Sequence, residues 1–187
     1  MPDASFNSTK AIWFIIKKLS ILLIVGLIAY YVYSTALNIT NVYVVASDGM
    51  HELAAQSLMQ DASTPLSNYF SQEIIDNKQF LISEKYSNCD IWDFKYKLKV
   101  EPFICLPASN SITITATETV SKIDGEAASI DGVSQEVPAW DNAKYRITLD
   151  KNSKGQWIIK KLDVIEDLPD ATQSQTIKAI ASPTPIN

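Results

Sequence analysis

The chain contains one long apolar run without a formal charge, LSILLIVGLIAYYVYSTAL at residues 19–37, which is nineteen residues long. An α-helix rises about 1.5 Å per residue, so this length approaches the roughly 20 residues that cross a bilayer. Lys17 and Lys18 precede the run, and three tyrosines at 30–33 stand near its far end, where amphipathic rings favour a membrane interface. The run predicts a single transmembrane helix that anchors the rest of the chain.

The charges on either side of the run predict its orientation. Three lysines and one aspartate precede it, at 1–18, whereas 13 basic and 20 acidic residues follow it. Positive flanks stay in the cytoplasm, so we expect a cytoplasmic tip at 1–18, residence in the cytoplasmic (inner) membrane and a periplasmic or extracellular main domain. A cleaved signal peptide is the alternative, because Ser34 and Ala36 are small and spaced as at a cleavage site. The tyrosines and the length of the run favour an uncleaved anchor.

The acidic remainder limits the classes of function. It is long enough for one domain with its own core. It carries no cluster of lysines and arginines, which argues against nucleic acid as a partner. One histidine and two cysteines argue against a metal site rich in these ligands, and we expect no cofactor.

Two amphipathic helices are expected after a stalk at 38–47, which is predicted to be extended chain or a short strand. Asp48 is a favourable N-cap, and apolar residues within 50–58 share one helical face. The pair Thr64-Pro65 resembles a second helix start, which predicts a kink between the two helices. The apolar patch at 80–82 is expected to form a short helix or a packed loop.

From residue 91 the apolar period changes to two. Apolar residues there alternate with charged ones, and they are Trp92, Phe94, Tyr96, Leu98 and Val100. Such alternation is typical of a half-buried strand with one solvated face. A strand at 91–100, a turn at 107–110 and a second alternating strand at 111–123 predict a long antiparallel hairpin. Residues 103–106 are a candidate extension of the first strand.

The remaining segments complete an α+β domain at 48–167. The segment 124–142 is expected to be a long loop, and its acidic residues do not match a calcium-binding loop. Strands at 145–149 and 157–165 follow, and the tail at 168–187 is expected to be flexible. The fold class predicted is an N-terminal transmembrane helix followed by helices packed on a curved antiparallel sheet of four or more strands.

These segments resemble a known family. The kinked helices at 50–77, the long strands at 91–100 and 111–123, and the closing YRITLDKNSKGQWIIKKLDVIE resemble the nuclear transport factor 2-like cone fold. Membrane-anchored members of that superfamily include the inner-membrane assembly subunits of bacterial type IV secretion and conjugation machines. The resemblance covers residues 48–166 and implies a role in an envelope complex, and a fold by itself does not fix a function.

Catalytic members of that superfamily carry acids or histidines in the cone, and two residues here are candidates. His51, the single histidine, is expected in the first turn of a helix, where a surface or capping role is favoured over that of a base. Glu118 can point inward with Ile114, and a buried carboxylate has a raised pKa that suits acid–base work. The sequence favours a solvated strand-end position for Glu118 over this inward one. The pocket-lining candidates are Trp92, Phe94, Tyr96, Ile114 and Trp157.

Cys89 and Cys105 are candidates for a disulfide, because an exported compartment favours such bonds. The predicted hairpin separates them along one strand, and the sixteen residues from one to the other span roughly 50 Å when extended. Bridged Cα atoms lie within about 7 Å. A bond therefore requires a different strand layout or a chain reversal near Pro102.

The sequence leaves three functional hypotheses open. The favoured one is a non-enzymatic, membrane-anchored assembly domain that binds other envelope proteins or a second copy of itself. The resemblance implies that it is a component of a secretion or conjugation machine. The second is a module that binds a small apolar ligand, and the third is an exported enzyme that uses Glu118 or His51. An exposed apolar patch favours the first, a deep pocket the second and an inward, desolvated carboxylate the third.

Overall fold

The computed structural model describes residues 4–59, 64–77, 84–130 and 133–169. Its first element is helix α1, Ala4–Met59, a continuous helix of 56 residues. This helix is long and apolar enough to cross a membrane, as the run at 19–37 predicts. α1 begins before that run, so the expected cytoplasmic tip is helical from Ala4. The apolar patch at 80–82 and nearly all of the expected tail lie outside the described residues.

α1 also continues through the segment expected to be a stalk. Residues 38–47 are helical, and the expected helix start at Asp48 lies inside α1. Residues 38–59 contain no proline and one glycine, so no strong helix breaker interrupts the helix. That glycine, Gly49, is buried, and a Cβ added to it would lie 2.9 Å from Tyr69 Cβ. Gly49 therefore permits close packing and does not mark a helix boundary.

Short elements replace the expected second long helix: a 3-10 turn at Leu66–Asn68, helix α2 at Gln72–Asp76 and a 3-10 turn at Glu84–Tyr86. Phe70 forms a parallel bridge with Ile159, and the Ser71 amide donates to the Ile159 carbonyl at 2.9 Å. This extended backbone interrupts the helix. The predicted apolar stripe still reaches the core at three positions, Leu66, Phe70 and Ile74.

The strands are β1 Cys89–Val100, β2 Ser111–Ile130, β3 Val133–Gln135, β4 Ala143–Lys151 and β5 Trp157–Asp167. The sheet has the order β1-β2-β4-β5 with antiparallel neighbours, and β3 pairs with the end of β2. The α+β class with an antiparallel sheet is confirmed. Residues 103–106 do not extend β1, because Pro102 has no amide hydrogen to donate. β2 instead runs through much of the segment expected to be a loop.

The two faces of the sheet differ in chemistry, as the alternation predicts. The inner face packs on the last part of α1, whose buried apolar residues are Val42, Ala46, Met50, Leu53, Ala54 and Leu58. The outer face carries polar side chains, and Thr113 Oγ1 lies 3.2 Å from Thr148 Oγ1 across β2 and β4.

The chain forms two compact units. The first contains α1 up to Asn41 together with Phe103–Ser109, and the second contains Val42–Pro102 and the residues from Asn110 onward. The sheet and the last part of α1 lie in the second unit. That unit holds every candidate site residue except Cys105.

Candidate functional site

Glu118 lies on the inner face of the sheet, within β2. It is paired with Leu98 of β1 on one side and with Ala143 of β4 on the other. Alternate residues of β2 share this face and are all buried: Ile114, Ala116, Glu118 and Val120. Glu118 is 2% exposed, so its carboxylate lies in the core and not at a solvated strand end.

Three side chains bring a polar hydrogen towards the Glu118 carboxylate: Tyr145, Trp140 and Tyr96. Burial raises the pKa of Glu118 to about 7, and hydrogen bonding to these groups acts in the opposite direction. Among the three, Tyr145 lowers the pKa of Glu118 most. The Tyr96 hydroxyl is buried, and its distances and angles to the described residues do not meet those of a hydrogen bond. We therefore assign the principal hydrogen bond to the Glu118 carboxylate to Tyr145. Burial also raises the pKa of both tyrosines, which keeps them protonated as donors.

His51, on α1, lies beside this cluster and is exposed. Its ring stacks on Phe94, with centroids 5.4 Å apart and an interplanar angle of 21°. It meets Tyr96 edge-on at 5.2 Å and 86°. Tyr96 therefore contacts His51 through its ring and approaches Glu118 through its hydroxyl. The two candidate acid–base residues lie in one cluster, although their spacing in the sequence does not predict this.

The five predicted pocket-lining residues do not all lie on the inner face of the sheet. Phe94 and Tyr96 pack against the inner core cluster, and Ile114 is buried elsewhere along β2. Trp157 is buried at the start of β5. Trp92 is 55% exposed, so its predicted inward position is wrong.

A β-bulge explains the outward position of Trp92. The β1–β2 register pairs Ile91 with Gly125 and Asp93 with Asp124, which leaves Trp92 without a partner on β2. An extra residue reverses the alternation of faces, so Ile91 is buried before the bulge and Phe94 packs inward after it. The alternation of apolar and charged residues is regular from Trp92 onward and predicts Trp92 on the same face as Phe94. The adjacent apolar pair Ile91-Trp92 is the irregularity in the sequence that coincides with the bulge.

An open cleft of about 580 Å³ lies where α1 ends near the first residues of β1. Its lining includes Met59, Cys89, Asp90 and Glu126, and neither Glu118 nor any predicted pocket residue is part of it. Glu118 is 2% exposed, so solvent scarcely reaches its carboxylate in the folded chain. The arrangement suits a proton-responsive element of the core.

Sequence reasoning missed Trp140 as a partner of Glu118, and it missed Asn142 as a partner of the neighbouring Val120. Trp140 and the buried Asn142 fall in the segment expected to be a loop. Asn142 Oδ1 accepts a hydrogen bond from the Val120 amide at 2.8 Å. Asn142 directly precedes β4, so its side chain satisfies an amide of β2 where no β4 residue pairs with it. Tyr145 is different, because the alternation of β4 carries a signal for it: it shares an apolar period with Ile147 and Leu149.

The cysteines are both thiols, and the disulfide considered from the sequence is not formed between Cys89 and Cys105. Cys89 is half-buried, and burial raises the pKa of its thiol. Cys105 is fully buried. Within the ranges that the structure describes, no group of three or more His, Cys, Asp or Glu side chains is arranged to hold a metal ion.

In comparisons with known proteins, no family model, curated protein or solved structure matches this chain. The geometry and chemistry of the described residues therefore carry the functional inference.

Proposed function

We propose that this chain is a single-pass, membrane-anchored domain outside the cytoplasm that binds another envelope protein and assembles with it. The exposed ring of Trp92 is the observation that carries the proposal. Tryptophan is enriched among the residues that dominate binding energy at protein interfaces. A bulge at an edge strand re-aims a side chain, and here it turns one tryptophan out of an otherwise packed face.

The backbone of β1 offers the partner a second kind of contact. β1 is at one edge of the sheet, and no other strand in the described ranges pairs with its outer side. Unpaired amide and carbonyl groups on an edge strand can accept an added strand. Lys95, Lys97 and Lys99 are exposed along β1. They favour a partner segment that carries acidic side chains.

The test uses tagged full-length chain extracted in mild detergents, as wild type, Trp92→Ala and Val164→Ala. Val164 is a matched control, because it is 48% exposed and lies on β5 at the opposite edge of the sheet. We expect an envelope protein to be recovered with wild type and Val164→Ala. Recovery should fall roughly tenfold or more with Trp92→Ala, since loss of a hot-spot side chain costs about 2 kcal/mol or more. Recovery of the chain alone in every detergent, or unchanged recovery with Trp92→Ala, contradicts the proposal.

The resemblance to membrane-anchored assembly subunits supports a narrower form of the proposal. In that form the chain is a component of a bacterial secretion or conjugation machine in the cytoplasmic membrane, with its N-terminus inside. The candidate span and the lysines before it support this orientation. Protease added to spheroplasts is expected to digest the sheet, and survival of the sheet until the membrane is lysed contradicts the orientation.

Glu118 favours a second candidate function, acid–base chemistry in the core of the sheet. A carboxyl with a pKa of about 7 suits proton transfer near neutral pH, and His51 lies in the same cluster. The enclosure of the carboxylate argues against it. A module for a small apolar ligand has less support, because Asp90 and Glu126 line the open cleft. If Glu118→Gln leaves partner recovery unchanged, the carboxylate is not required for assembly.

A further inference from the structure

The loop between β1 and β2, Phe103–Ser109, carries two exposed apolar side chains. Ile104 is 75% exposed and Leu106 is 49% exposed. Ile104 is more exposed than any other large apolar side chain in the described part of the chain, including those of the candidate span. Exposed apolar surface can mark a site that binds a partner or a membrane when it is continuous with other apolar surface.

The loop has a defined shape that points these side chains outward. Cys105, between them, is fully buried, so alternate residues face inward and outward. The Ser109 amide donates to the Leu106 carbonyl at 3.0 Å and closes a turn. The two apolar side chains therefore project from a structured tip.

The loop is hydrogen-bonded to the end of the apolar run. Asn38, the first residue after the run, donates its side-chain amide to the carbonyls of Leu106 at 3.0 Å and Pro107 at 3.4 Å. The loop and α1 up to Asn41 form one compact unit. Backbone carbonyls near a bilayer need protein donors where water is scarce, and Asn38 supplies one to each of these two groups.

We infer that Phe103–Ser109 is a second membrane contact, with Ile104 and Leu106 inserted into the bilayer interface beside the end of the helix. Continuity with the candidate span favours lipid over a protein as the occupant, because the loop lies where the hydrocarbon of the bilayer meets the headgroups. Residues 102–111 carry no charge. The contact therefore depends on apolar insertion and not on the charge of the lipid headgroup.

The test places a diazirine-bearing aliphatic amino acid at position 104 of the full-length chain in phosphatidylcholine nanodiscs. The expected result after illumination is a mass shift of one lipid molecule on the peptide that contains position 104. Position 27, in the apolar run, is the lipid-contacting reference, and position 153, an exposed serine in the β4–β5 turn, is the water reference. Position 106 must also give the lipid adduct, and it repeats the test independently should the change at 104 disturb the loop.

Three results overturn the inference. The first is capture of water alone at positions 104 and 106, as at position 153. The second is a crosslink from these positions to another protein in place of lipid. The third is a lipid adduct that forms only after anionic phosphatidylglycerol is added, because apolar insertion requires no headgroup charge. The assembly proposal based on Trp92 is unaffected by any of these results.

Discussion

Gly125 of β2 lies against the backbone of Ile91 of β1, where a Cβ added to Gly125 would be 3.0 Å from Ile91 Cα. The same added Cβ would be 2.7 Å from the Asp90 carbonyl oxygen. This pair directly precedes the bulge that turns Trp92 outward. Because the close neighbours are backbone atoms, a side chain at position 125 requires the two strands to separate. Gly125 therefore permits the strand approach from which Trp92 is presented.

Gly125→Ala is expected to disturb the bulge. It should lower the free energy of unfolding by about 1–3 kcal/mol, as overpacking does, and it should reduce partner recovery as Trp92→Ala does. Glu126→Ala is the matched control, because Glu126 is the exposed neighbour on the same strand. Thermal unfolding of the full chain in detergent and the detergent pull-down are the measurements. Equal behaviour of the two variants would show that the close approach does not determine the bulge.

Glu118 is expected to make stability depend on pH. Its pKa is about 7 in the folded chain against an ordinary value of 4.5. The folded state therefore binds more protons between these values, so stability from this group is fully present below pH 4.5 and is lost as pH rises through 7. The loss amounts to about 3 kcal/mol at most.

Glu118→Gln removes this titration and should flatten the fall in melting temperature between pH 5 and pH 8. The control is Glu166→Gln, on the exposed end of β5, which should retain the wild-type profile. Circular dichroism melts of the full chain in detergent at several pH values measure it. A Glu118→Gln profile as steep as the wild type would assign the dependence to other groups.

Tyr145→Phe is expected to raise the pKa of Glu118 further. The Tyr145 hydroxyl makes the hydrogen bond that lowers the pKa of Glu118 most, and phenylalanine cannot donate it. The loss of stability with rising pH should then continue beyond pH 7 before it levels off. Tyr43→Phe, at a 46% exposed position on α1, serves as the control. If the loss of stability levels off at the same pH as in wild type, Tyr145 is not the principal donor.

The parts of the fold predicted from sequence are those whose signal is local. The run at 19–37 is recognised by its length and its lack of charge, and the strands at 91–100 and 111–123 are recognised by their alternation of apolar and polar residues. The same alternation allows Glu118 to point inward, although the sequence favours a solvated strand end, and the pairing of β2 on both sides places Glu118 in the core. Each of these signals lies within about ten to twenty residues of chain, which is the range over which periodicity is read.

The parts that were missed depend on residues far away in the sequence. Gly125 accompanies the bulge at Trp92, and the apolar pair Ile91-Trp92 does not by itself show which of the two residues pairs with β2. Trp140 reaches Glu118 from a segment without periodicity. Asp48 and Gly49 are residue types typical of a helix start, yet α1 continues through them and packs in the core of the second unit. Tertiary packing overrides the local propensity at these positions.

Gly49→Ala is expected to destabilise the chain although alanine is the better helix former. An added Cβ would lie 2.9 Å from Tyr69 Cβ and 3.0 Å from Ile159 Cδ1, and it would push apart α1 and the segment bridged to β5. Overpacking of this kind costs about 1–3 kcal/mol, whereas replacing glycine in a helix gains up to about 1 kcal/mol. Gly26→Ala is the control, since nothing lies within 4 Å of its added Cβ. A lower melting temperature for Gly49→Ala, but not for Gly26→Ala, supports close packing at this site. A higher melting temperature for Gly49→Ala would show that the gain in helix propensity outweighs any overpacking.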